Sequence, residues 1–409
     1  MKQVLGIVAA FFCMPLLSRV KKLGFGGSLI ITGLIMSIFA SIPLNDVLDA
    51  FKGVFLSPST INTMLAVIMI GCLGTVLNKY GILQKIVSNL ESIISNPKII
   101  IMLLPAVLGM LPVPGGAILS APFAKNLGEK LGLPMNKRSV INLTFRHVAM
   151  FLVPFSSTML LVASLMEDVS VYRVILLNLP FIFIYISGAY LLHLKNIEYQ
   201  KNDGFVQEKG AIKKLIIYSA PIYGIILINS ILKLPMWISV SLSVAFTYFI
   251  VDEKKDYAKT AIKGINISTL IMLVGVYFIQ NLIKGQAGVM ELFSQLFLNA
   301  TGFSILLVIT VIATVLGLFT GLNLVSIGIL LPLVNNLPIA PMEKTIYVFF
   351  ILIWAYIGYY YSPLHLCQIL SNSYMEASLT SVSKENLKLM PILALTSFIL
   401  FYAYRLILL

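Results

Sequence analysis

Charge is what this chain most lacks. Asp, Glu, Lys and Arg make up 11% of its 409 residues, less than half of the roughly 25% found in ordinary soluble domains, and 59% are hydrophobic. A water-facing surface of normal composition cannot be built from these residues, so an integral membrane protein without a soluble domain is expected. Acidic residues are the scarcer sign, 16 against 29 basic ones. Asp46, Asp49, Glu91, Glu167, Asp168, Glu291, Glu343 and Glu376 stand at the ends of apolar runs or in connections, which argues against a proton relay of buried carboxylates. The three cysteines, Cys13, Cys72 and Cys367, lie far apart in apolar segments. They have no metal-ligand spacing and an odd count, so no disulfide framework is expected; they read as small buried hydrophobes. P-loop, H-E-x-x-H, G-x-G-x-x-G and nucleophile-elbow motifs are all missing, which excludes ATP hydrolysis by this chain. The net charge of +13 sits beside apolar runs rather than in a stripe or patch, which argues against nucleic acid as a partner.

Apolar runs are what remains. Those long enough to cross a hydrocarbon core of about 30 Å as helices fall at about 3–18, 24–42, 59–77, 139–166, 172–194, 212–231, 235–251, 265–283, 345–373 and 388–408. The first is expected to be a retained span, because Arg19, Lys21 and Lys22 follow it where a signal peptide would have its small-residue cleavage site. Two further apolar regions, 98–128 and 303–335, are interrupted near their middles, at Pro112 to Gly116 and at Thr320 to Asn323. Each is expected to enter and return on one side as a re-entrant hairpin, a form tolerated only where its irregular backbone is buried in protein or lines a cavity.

Basic residues test this layout. It places 21 of them on one side, in 19–22, 79–98, 125–138, 195–214, 254–263 and 384–388, and 7 on the other, with Arg146 inside a span. The richer side is then cytoplasmic, both termini face outward, and the bilayer is the plasma (inner) membrane. Internal repetition is a second test. Val107-Leu108-Gly109 recurs as Val315-Leu316-Gly317 at an offset of 208, Pro122 matches Pro332 at 210, and Pro154 matches Pro363 at 209. Span order matches as well. The expected architecture is all-α: about ten transmembrane helices plus two re-entrant hairpins in two inverted-topology repeats, 1–194 and 212–409, joined by a cytoplasmic linker at 195–211.

Chemistry concentrates where the runs break. Pro114, Gly115 and Gly116, with Pro112, cannot continue a helix, and the outgoing arm would start with free N–H groups and a dipole that favours an anion. The second tip carries Thr320, Gly321 and Asn323, whose oxygens suit substrate hydroxyls or a cation such as sodium. Arg146 and His147 lie about a third of the way into an apolar span. There an arginine either snorkels to the surface or faces the interior; in the interior it would attract an anion while His147 hydrogen-bonds or takes up a proton. Past Pro154 come Ser156, Ser157 and Thr158. The repeat mate has Ser362 before Pro363 and His365 after it, with His365 in the register of Ser156. His193, beside Lys195, is expected at the interface.

Three stretches, "LPVPGGAILSAP" at 111–122, "FRHVAMFLVP" at 145–154 and "SPLHLC" at 362–367, together with the span order of nearly the whole chain, resemble the DUF401 family. These prokaryotic membrane proteins belong to the ion transporter superfamily, with gluconate permeases and divalent-anion/sodium symporters. The resemblance implies inverted repeats, two hairpins, a substrate site between hairpin tips and broken spans, and a homodimer. A secondary active transporter of a small organic anion, a sugar acid or carboxylate, is expected. It would be proton- or sodium-coupled, not an enzyme, and without a cofactor. Arg146 and the hairpin ends would balance substrate charge, and His147 or His365 would couple protons. The alternatives are a membrane scaffold with a transporter fold, or an intramembrane lipid-modifying enzyme using His365 with Ser362 or Ser156.

Overall fold

The computed structural model describes residues 13, 16, 17, 20, 23–110, 117–199, 209–285 and 302–409. Most of the first expected span and the tip 111–116 of the first expected hairpin lie outside them. All regular structure among the described residues is helical. The first half contains α1 (Gly24–Ala40), α2 (Leu44–Leu56), α3 (Pro58–Lys79), α4 (Ile82–Ile93), α5 (Pro97–Gly109), α6 (Ala117–Lys130), α7 (Met135–His147), α8 (Ala149–Leu152), α9 (Ser157–Leu165) and α10 (Val171–His193). The second contains α11 (Ala211–Leu232), α12 (Met236–Ile250), α13 (Tyr257–Ile262), α14 (Ile267–Lys284), α15 (Gly302–Thr320), α16 (Asn323–Asn335), α17 (Pro341–Tyr360), α18 (Leu366–Met375), α19 (Leu379–Asn386) and α20 (Met390–Leu408).

Among the described residues seven stretches are long and apolar enough to cross a membrane: Pro58–Lys79, Met135–Leu165, Val171–His193, Ala211–Leu232, Phe303–Thr320, Pro341–Tyr360 and Leu379–Leu408. Three more of the expected ten, Gly26–Ala40, Met236–Ile250 and Ile267–Ile283, are apolar but shorter. One difference concerns Phe303–Thr320, expected as a hairpin arm yet of spanning length by itself. No proline interrupts it, so its helix runs unbroken for about 27 Å at 1.5 Å per residue.

Burial orders these helices. In α17 89% of the most apolar window is buried, against 17% in α11. The first is the hub of the molecule; the second turns Ile212, Ile216, Leu227 and Ile231 outward, as a hydrocarbon solvent requires. Around the hub, contacts come in matched pairs. The α5–α7 packing corresponds to α15–α17, and α5–α6 to α15–α16. Contacts between the halves match too: α1 packs on α14 as α12 packs on α3, and α9 packs on α16 as α18 packs on α6. Close approach is built in by glycine at corresponding places. A Cβ on Gly109 would lie 2.2 Å from the Arg146 carbonyl oxygen, and one on Gly317 would lie 2.5 Å from the Tyr359 nitrogen.

The ion pairs fall into two sets by the sequence-assigned side of their basic residues. One contains Lys85–Asp252, Lys125–Glu376, Arg138–Glu129 and the Lys388–Glu385–His193 group. The other contains Lys344–Asp168 and Arg405–Glu343. None of these ion pairs joins a basic residue of one sequence-assigned side to an acidic partner from the other.

Candidate functional site

Two broken helices and one described hairpin converge beside the hub. In the first break, α8 ends at Leu152, and Val153 to Ser156 form a non-helical turn before α9. Pro154 has no N–H to donate, which weakens the helix at this point. The Ser156 hydroxyl restarts the helix by accepting from the Met159 nitrogen at 3.2 Å, an N-cap. In the second break α17 stops at Tyr360, Pro363 lies in the gap, and His365 immediately precedes α18. The register that equates Ser156 with His365 thus gives both the same backbone position. His365 makes no side-chain cap.

The second hairpin tip reaches both breaks. Gly321 has φ +69°, and a Cβ there would meet the Leu364 oxygen at 2.7 Å, so glycine is required for turn and contact alike. Thr320 Oγ1 donates to the Leu316 oxygen at 2.7 Å. Ser362 Oγ donates to the Leu318 oxygen at 2.6 Å and accepts from the Leu364 nitrogen. On the other flank Asn323 Nδ2 donates to Thr158 Oγ1 at 2.7 Å, both side chains being buried. Ser157 is half-buried at the start of α9. Pro114, Gly115 and Gly116 lie outside the described residues.

Arg146 and His147, at the end of α7, meet the second break. Arg146 is 7% exposed, one terminal guanidinium nitrogen is buried without a hydrogen-bond partner, and the group reaches the Cys367 thiol. It therefore faces the interior instead of snorkelling. None of the ion pairs among the described residues includes it. A cation held so, without a carboxylate, costs several kcal/mol unless something else supplies negative charge.

Both histidines are oriented by main-chain oxygens. His147 Nδ1 lies 2.6 Å from the Leu143 oxygen and its Nε2 lies 3.2 Å from the Tyr359 hydroxyl. His365 Nδ1 faces the Tyr360 oxygen at 3.4 Å, and its Nε2 is buried without a partner. A carbonyl only accepts, so in each neutral ring Nδ1 carries the proton and Nε2 offers a lone pair. The ring centroids are 4.9 Å apart.

Sequence reasoning missed a polar cluster between α7 and α18. Ser139 Oγ donates to Asn372 Oδ1 at 2.6 Å. Asn142 Nδ2 donates to Ser371 Oγ at 3.1 Å and to the Ala117 oxygen at 3.3 Å, at the start of the first hairpin's outgoing arm. Asn142 Oδ1, Gln368 Oε1 and Asn372 Nδ2 are buried without partners. The signal was present: Ser139, Asn142 and Arg146 recur at helical spacing, as do Gln368, Ser371 and Asn372. His193 corrects an expectation. It is 1% exposed and pairs with Glu385 at 3.1 Å, because α19 folds over the helix end that would otherwise face the interface.

The sequence model of the DUF401 family, described as proteins of unknown function, matches residues 5–407. The chain belongs to the DUF401 family. Comparison with curated proteins finds no match. In this DUF401 chain a cleft of about 450 Å³ has a lining that includes Ser59, Asn62, Pro154, Glu167, Asn229 and Lys233. It reaches the first break at Pro154, and Arg146 does not line it.

Proposed function

We propose that this protein is a secondary active transporter of a small organic anion, a sugar acid or other carboxylate, working by alternating access in the plasma membrane. The observation that carries the reading is Arg146, a buried guanidinium with an unpartnered nitrogen and no carboxylate partner among the described residues. A substrate carboxylate would supply the missing charge, with the hydroxyls and amides of Thr158, Asn323, Asn142 and Ser371 around its remaining oxygens. The matched packing of the two halves, and ion pairs that each stay on one sequence-assigned side, support inverted repeats with re-entrant hairpins, for which the chain divides at 195–211. Both termini then face outward, and the cleft at Pro154 is the outer approach. Coupling uses a proton on His147 or His365, or a sodium ion held by oxygens near Thr320, Gly321 and Asn323. A homodimer is the proposed assembly.

Hydrogen bonding favours transport over lipid chemistry. The Ser362 hydroxyl is spent on the Leu318 oxygen and Ser156 caps its own helix, so neither is paired with His365 as a nucleophile would be with its base. The test is a thermal-shift screen of organic anions at several pH values, with and without sodium, followed by uptake into proteoliposomes. A hit that stabilises the parent and Arg146→Met alike would refute the site.

A further inference from the structure

Cys367 joins the two histidines. His147, His365 and Cys367 each offer one metal-binding atom, and the three atoms lie within 4.8 Å of one another. We propose that His147 Nε2, His365 Nε2 and Cys367 Sγ form a three-ligand site for a thiophilic divalent transition-metal ion of the zinc type.

Four observations support it. Two imidazoles and one thiol are a soft donor set that suits zinc and its neighbours and discriminates against sodium, magnesium and calcium, which take oxygen. Both rings are held by Nδ1–H donation to a main-chain carbonyl, the outer arrangement that fixes a histidine ligand with Nε2 toward the ion. His365 Nε2 is fully buried and unpartnered, so an ion would satisfy an atom that the protein leaves bare. The Arg146 guanidinium reaches the Cys367 sulfur, where it would donate to a metal-bound sulfur. Tetrahedral zinc separates such ligands by about 3.3–3.7 Å, so the side chains must close by about 1 Å. The Tyr359 hydroxyl, 3.2 Å from His147 Nε2 and 3.9 Å from Cys367 Sγ, would give up the nitrogen and donate to the thiolate.

Three protein ligands leave one position of a tetrahedral site open. An ion here would also occupy the lone pairs that a proton would use, leaving coupling to the oxygens around Thr320 and Asn323. Metal binding is measured with no organic anion present, so this proposal and the transport reading can fail separately.

The test uses the full-length protein in detergent with the variant Cys13→Ser/Cys72→Ser, in which Cys367 is the sole thiol and the three ligands are untouched. Titration with Co2+ should give a near-ultraviolet sulfur-to-cobalt charge-transfer band saturating at one ion per chain, and Zn2+ should abolish it by displacement. His365→Gln in the same background should weaken Co2+ binding at least tenfold. The proposal is overturned if the sole-thiol protein, eluting as a single species, shows no such band, or if the band survives unchanged in Cys367→Ser or His365→Gln.

Discussion

The two breaks occupy the same place in the two halves and do different work. At the first, Val153, Pro154 and Phe155 are buried, and the Ser156 hydroxyl is used within its own helix. At the second, Pro363 and Leu364 are exposed, while His365 behind them is fully buried with one nitrogen bare. One break closes on itself. The other leaves its polar atoms to a partner, and Arg146 and His147 are brought to it from the first half. Pro154 and Pro363 mark where the chain opens, and individual residues decide whether the opening is satisfied locally or by something bound.

Arg146→Met should separate the two breaks most sharply. If the guanidinium serves a ligand, the substitution abolishes anion-induced stabilisation, a loss of about 2–5 kcal/mol of binding, while ligand-free thermal stability in detergent holds or rises. A fall in ligand-free stability of that size would make the arginine structural. The next effect concerns the close contacts that hold each hairpin arm to its broken helix. Gly109→Ala and Gly317→Ala should each cost about 1–3 kcal/mol through overpacking, and Gly224→Ala, where an added Cβ meets nothing within 4 Å, should be neutral or slightly stabilising. Unequal costs at 109 and 317 would show that the halves are not mechanically alike.

A smaller change tests the cap. Ser156→Ala should lose about 1 kcal/mol and Ser156→Asn should retain it; equal thermal stability of the two would mean that the first break is not held by its cap. The smallest expected effect joins the halves. A double-mutant cycle between Thr158→Val and Asn323→Leu should give a coupling of about 0.5–1.5 kcal/mol, and a value near zero would remove this contact from the site.

Much of this was legible because the membrane imposes strong rules. Pro154 and Pro363 fall at the breaks because proline weakens a helix it interrupts, and Gly109 and Gly317 stand at corresponding places in matching triplets. The cluster of Ser139, Asn142, Ser371 and Asn372 was overlooked because small polar residues within apolar helices are common, and only their spacing on two facing helices sets these apart. His193 was misplaced because proximity to Lys195 in the chain says nothing of α19 folding over it.

By itself the sequence determined a helical membrane chain and the positions of its breaks. Composition and helical periodicity are local properties that lipid and water sort directly. The tertiary structure decided which breaks meet. Cys367 has no metal-ligand spacing from either histidine ligand in sequence, since His147 lies 220 residues away and His365 only two. It becomes their neighbour because α7 packs against α18, a contact set by shape and by burial of apolar surface that no window of sequence contains.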